Sequence, residues 1–185
     1  MAVLDILQIG NPILRQHSSK ITRFDKGLSR LADDMVETMQ AANGVGLAAP
    51  QVGISARLIV VEMPESEDYP HPGERWVMCN PEIVKASRET EVAQEGCLSV
   101  VGYVGEVERP VDVTVRGLDL QGRKMRVKAE GYLARAFQHE IDHLNGVLYV
   151  DIAEEDTVMT VEEFQEMMQE AEDQDEPTNE LVTLT

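Results

Sequence analysis

Two histidines four residues apart, with a glutamate directly after the first, are the residues in this chain whose spacing points most clearly to chemistry. In His139-Glu140-Ile141-Asp142-His143, a helical backbone would set the two imidazoles about 40° apart around the axis and about 6 Å apart along it. Both can then reach one metal ion. Glu140 is turned about 60° from His143, close enough to hold a water on that ion. Two histidines leave the ligand set incomplete, because hydrolytic metal sites commonly use three protein ligands and one open water position. Cys97, in the loop-like segment Glu95-Gly96-Cys97-Leu98-Ser99, would complete such a set. Cys79 competes as the thiolate, but Asn80-Pro81 follows it at once and its neighbours read as strand. Metalloproteases with this helix motif usually take a downstream carboxylate or histidine. Here only Asp151, Glu154 or Glu155 would serve, since no histidine follows His143. A thiolate is softer than a carboxylate and suits Fe²⁺, Zn²⁺, Ni²⁺ or Co²⁺. The plain alternative is a surface pair on an ordinary amphipathic helix. Against it, the pair accounts for half of only four histidines, and a cysteine stands beside a glycine upstream.

The elements that must carry these residues follow from periodicity. Leu133, Phe137, Ile141 and Leu144 fall within about 80° of one another on a helical wheel, so a helix is predicted over Tyr132 to Leu144 with Gly146 as terminator. That apolar stripe lies about 135° from the histidine pair. With the stripe in the core, the histidines would face another surface, where a cleft could lie. Leu28, Leu31, Met35 and Met39 predict a helix from Leu28 to Ala42, ended by Asn43-Gly44. Arg57 to Val61 reads as a short strand, and Glu62 to Arg75 as a surface loop. Trp76 to Cys79 reads as a second strand stopped by Asn80-Pro81, with Ile83-Val84 beginning another short element. Val111 to Leu120 and Met125-Val127 form a hairpin about Gly122. Thr160 and Glu163 make a capping-box pattern before a helix from Val161 to about Ala171. Several strands before a long helix point to an α+β domain. A single catalytic domain over 1–172 is expected, with 173–185 as an acidic mobile tail.

The chain has 185 residues and a formal net charge of -18, enough length for one substantial core. No Lys or Arg follows Arg135, which argues against a DNA-binding surface. No apolar stretch approaches the roughly 18–20 residues that span a bilayer, and the start lacks a basic-then-apolar leader. A soluble, cytoplasmic protein with no membrane partner is expected. Two cysteines do not make a disulfide framework.

Three segments together resemble bacterial-type peptide deformylase: Gly44-Val45-Gly46-Leu47-Ala48-Ala49-Pro50-Gln51, Glu95 to Ser99, and Gln138-His139-Glu140-Ile141-Asp142-His143-Leu144. Their order and spacing match as well, from about Ile6 to Asp151. The resemblance implies a fold of antiparallel sheets packed around a central metal-binding helix. It also implies removal of the formyl group from the N-terminal formylmethionine of newly made polypeptides, with release of formate. One divalent metal, natively often Fe²⁺, would be held by Cys97, His139 and His143. Glu140 would be the general base and then the proton donor, with Gln51 and the Leu98 N–H stabilising the oxyanion. Gly46 and Gly96 would contact the substrate chain, while Val45, Ala136 and His139 would border the methionine pocket. Where the family continues the cysteine segment with a proline and later an arginine, this chain has Val101 and Val104. The first change bears on loop stiffness and the second on the grip on the peptide. The family's often basic C-terminal helix is associated with ribosome docking. Here that region is acidic and would be repelled by RNA, so the resemblance implies at most a transient ribosome association. The rival readings are an endopeptidase with the same helix motif and a domain that binds formylated chains without turnover.

Overall fold

The computed structural model describes residues 2–69 and 71–173. The chain opens with an extended segment and a 3-10 turn, Pro12–Arg15, and then enters helix α1, Lys26–Ala41. The Asp25 carboxylate caps α1 by accepting from the Gly27 and Leu28 N–H groups, an arrangement that contributes about 1 kcal/mol. Strands β1 (Gly46–Ala48), β2 (Leu58–Glu62), β3 (Arg75–Ala86), β4 (Thr90–Cys97), β5 (Val100–Pro110), β6 (Asp112–Leu118) and β7 (Lys124–Glu130) follow. Helix α2 (Gly131–Leu144), a short strand β8 (Met159–Thr160) and helix α3 (Val161–Asp173) complete the described chain.

Two antiparallel sheets flank α2. One has five strands in the order β1-β2-β3-β6-β7, the other three in the order β4-β5-β8. The architecture is therefore α+β, with a helix between sheets. The alternation within β2 shows why the five-stranded sheet is apolar on both faces. Ile59 and Val61 point to the cluster that receives Leu133, Phe137, Ile141 and Leu144 of α2, the stripe read from the sequence. Leu58 and Val60 point the other way, to Met35 and Met39 of α1. A sheet covered on both faces needs such continuous apolar strands. Phe137 and Leu144 are fully buried, and burial of side chains of this size contributes about 1.5–3 kcal/mol each. Gly146 ends α2 at φ +78°, where a Cβ would lie 2.7 Å from the Arg15 backbone.

Three expectations change. Asn80-Pro81 does not stop a strand: β3 runs through it, with register shifts between Cys79 and Glu82 and between Ile83 and Lys85. The residues flanking Cys97 are not a loop but the β4–β5 hairpin, with Cys97 ending β4. The histidine side of α2, expected to face a surface where a cleft could lie, is covered by the three-stranded sheet and the segment after α2. His139 and His143 are consequently buried. Helix α3 is present where expected, with Thr160 and Glu163 bonded reciprocally. The acidic tail expected over 173–185 lies outside the described residues from 174 onward.

Candidate metal centre

The third ligand is the one the sequence left open, and β4 supplies it. A register shift between Gly96 and Cys97 turns the cysteine inward, and its Sγ lies 3.2 Å from His143 Nε2. The candidate donor atoms of Cys97, His139 and His143 all lie within 4.8 Å of one another, and all three residues are buried. Such spacings suit donors that share one ion at about 2.0–2.3 Å. Burial, together with the nearby His139, holds His143 well below the usual imidazole range. Cys79 sits instead among the α1-facing core residues, its thiol pushed up to about 11 by burial. Asp151 pairs with Arg15 and accepts from the Leu148 N–H, and Glu154 and Glu155 are exposed. None of these belongs to the cluster.

Behind the histidines stands a buried carboxylate that sequence reading did not single out. Glu95 has no exposed surface. Arg109 donates to it from Nε at 2.7 Å and from Nη2 at 2.9 Å, and Arg135 donates from Nη1 at 2.8 Å. The remaining contact is to His139, whose Nδ1 lies 2.9 Å from Glu95 Oε2. A hydrogen bond there fixes the ring and directs Nε2 toward the cluster. Burial pushes the Glu95 carboxyl up, but the hydrogen bonds from Arg109 and His139 outweigh it and hold the group far below the usual carboxylate range. Tyr149 backs the same imidazole, with ring centroids 6.2 Å apart and planes 24° from parallel. Its hydroxyl donates to the Tyr103 carbonyl at 2.9 Å.

Glu140 is buried, and its Oε2 has no hydrogen-bond partner among the described residues. Burial raises its carboxyl to about 7, a value suited to a group that takes and returns a proton near neutrality. β1 passes so close that a Cβ on Gly46 would lie 2.3 Å from Glu140 Oε1. Gln51 comes from the 3-10 turn Ala49–Val52. Its Oε1 accepts from the Ala48 N–H at 2.7 Å, which turns Nε2 toward Ser99 Oγ at 3.2 Å and Cys97 Sγ at 3.6 Å. Leu98 sits at the bend between β4 and β5, and its carbonyl accepts from Gln8 Nε2 at 2.9 Å. The N-terminal segment thus straps the two arms of the site, as Leu7 N–H donates to the Gln51 carbonyl and Ile9 N–H to the Ser99 carbonyl. Val45 packs against the apolar cluster that contains Ala136. Gly96 lies in β4 opposite Val104.

Comparison with known proteins decides what this centre belongs to. A family profile described as polypeptide deformylase matches residues 3–158. The chain belongs to the polypeptide deformylase family. A peptide deformylase of Halothermothrix orenii is 50% identical over 151 residues, covering 82% of this chain and 94% of the relative. The crystal structure of peptide deformylase from Thermotoga maritima aligns with a TM-score of 0.77 at 41% identity, over 84% of this chain and all of that one. A class I type b peptide deformylase from Acinetobacter baumannii, solved with Met-Ala-Ser bound, aligns with a TM-score of 0.76 at 42% identity, over 81% of this chain and 98% of that one. The activity that goes with family and centre together is metal-dependent deformylation of N-formylmethionine. Val101 is 70% exposed, whereas Val104 is 2% exposed and paired with Met159 of β8. The position expected to bear a peptide-gripping arginine is therefore an apolar seat for the C-terminal segment.

Proposed function

We propose that Glu140 is the proton carrier of the reaction, with Cys97, His139 and His143 as the metal ligands. The observation that carries this reading is the unpartnered Glu140 Oε2, buried and raised to about 7, next in the helix to the Cys97–His139–His143 cluster. A divalent ion bound there would lower the pKa of water and polarise the formyl carbonyl. The thiolate and two imidazoles suit Fe²⁺, proposed as the native ion, and also Zn²⁺, Ni²⁺ or Co²⁺. Glu140 takes a proton from the attacking water and returns it to the departing amine. Gln51 Nε2 and the Leu98 N–H donate to the formyl oxygen as negative charge develops on it. Gly46 and Gly96 offer backbone to the peptide, and Val45 and Ala136 border the methionine side chain. The Met-Ala-Ser complex of the A. baumannii relative supports a short N-terminal peptide as the bound group.

The substrates proposed are N-formylmethionyl nascent peptides met in the cytoplasm. No described helix is long and apolar enough to cross a membrane. Exposed Glu162, Glu163, Glu166 and Glu170 on α3, with no Lys or Arg in that helix, speak against docking on ribosomal RNA. The test is anaerobic purification, metal counting, and formate release from formyl-Met-Ala-Ser with the acetyl peptide as control. Wild type should hold about one metal per chain and release formate selectively. Glu140→Ala should keep the metal and lose at least about 100-fold in rate. A near-normal rate in that variant would overturn the role of Glu140.

A further inference from the structure

A cavity of about 370 Å³ opens beside the metal centre, with Cys97 and Leu98 in its lining. Ile6, Leu98, Val101, Tyr103 and Val161 wall it, and Gln8 is a polar member. No charged residue lines it among those described. Two of its walls are large apolar side chains left open on β5, Val101 at 70% and Tyr103 at 49% exposure. The fifth wall comes from α3, whose first residue is Val161, beyond residue 158 where the family match ends. Strand β8 holds it there, since Tyr103 pairs with Thr160 and Val104 with Met159.

We propose that α3 is part of the substrate groove: Val161, with Leu98, Val101 and Tyr103, seats an apolar side chain at the second or third residue of the formylated peptide. This rests on the deformylase reading above, in which the Leu98 N–H meets the formyl oxygen. An extended peptide advances about 3.3 Å per residue, so a side chain one or two residues past the formylmethionine falls beside Leu98. The cavity shares Cys97 and Leu98 with the reacting centre, and that shared wall is the ground for taking the substrate itself as its occupant. An aspartate or lysine seated there would lose water and find no partner of opposite charge. A leucine would cover Val101 and Tyr103 and gain by its own burial.

The test compares formate release by the metal-loaded, full-length enzyme from formyl-Met-Leu-Leu and formyl-Met-Ser-Ser. Wild type should favour the leucine peptide by about tenfold in kcat/KM, chiefly through KM. Val161→Asp should reduce that ratio to below about twofold. Val101→Ser, at a position too exposed to threaten the fold, should reduce it in the same direction. Equal rates on the two peptides with wild type would overturn the groove and leave the deformylase reading standing. Retention of the full preference by both variants would likewise overturn the groove alone. Formate from neither peptide would overturn the deformylase reading, and the groove with it.

Discussion

At Gly46 a single added methyl group would be placed against the Glu140 carboxyl, with Oε1 at 2.3 Å, Cδ at 2.8 Å and Cγ at 2.9 Å. The glycine is therefore required by proximity and not by a left-handed backbone. Gly46→Ala should keep its fold and metal while displacing Glu140, and a shift near 1 Å costs about 100-fold in rate. Steady-state kinetics beside metal counting checks this, and unchanged kcat/KM would show that Glu140 can move aside without loss. His139 and His143 could be read as a pair because metal ligation needs particular residue types at particular helical offsets, whereas Cys97 stands on β4, where no offset ties it to the helix. The roles proposed for Gln51 and Leu98 come from resemblance alone, since an amide and a backbone N–H carry no spacing rule. Glu95 was missed for a related reason. Its partners Arg109 and Arg135 lie 14 and 40 residues away, and no periodicity links a buried carboxylate to arginines on other elements.

Three elements meet at that carboxylate: β4 carries Glu95, β5 carries Arg109, and α2 carries Arg135 and His139. Removing one member of a buried ion cluster leaves the others desolvated and unpaired, which costs about 3–5 kcal/mol. Glu95→Gln should lose about that much unfolding free energy at pH 7, together with affinity for the metal. The pH dependence has a definite sign. The folded-state pKa of Glu95 is depressed, so its contribution is present above the unfolded value of about 4.3 and is lost as pH falls toward the folded one. The gap between wild type and Glu95→Gln in urea unfolding should therefore narrow below about pH 4. A gap that widened there would contradict the assignment. The same hairpin shows where element reading failed. Thr90 to Val92 of β4 are exposed, and the strand then buries Gln94 and Glu95. It lacks the apolar alternation by which strands are recognised. α2 was legible because its apolar stripe is complete. β3 was divided in two because bulges at Asn80-Pro81 look, in sequence, like a stop.

Across the molecule, 34 acidic side chains face 16 basic ones, and the imbalance grows toward α3, which has no cation at all. Screening shortens from about 10 Å at 0.1 M salt to about 3 Å at 1 M, which weakens repulsion among exposed carboxylates far more than the buried Glu95 cluster. The melting temperature should thus rise by about 4 °C or more between these conditions. A fall, read by scanning calorimetry, would mean that surface ion pairs outweigh net repulsion. The α+β class was legible at this scale from strands that precede a long helix. The enclosure of the histidines was not, because it depends on which sheet lies over which helix face. The strap across the site also bears on assembly. Gln8 finds its partner Leu98 ninety positions later in the chain, and the Leu7 and Ile9 amides close onto Gln51 and Ser99. As the polypeptide emerges during synthesis, residues 7–9 must wait for the chain up to Ser99 before they can be latched. Loops of that span close late and slow folding, so competence for catalysis should arrive as the final clasp of a ring and not as a gradual gain.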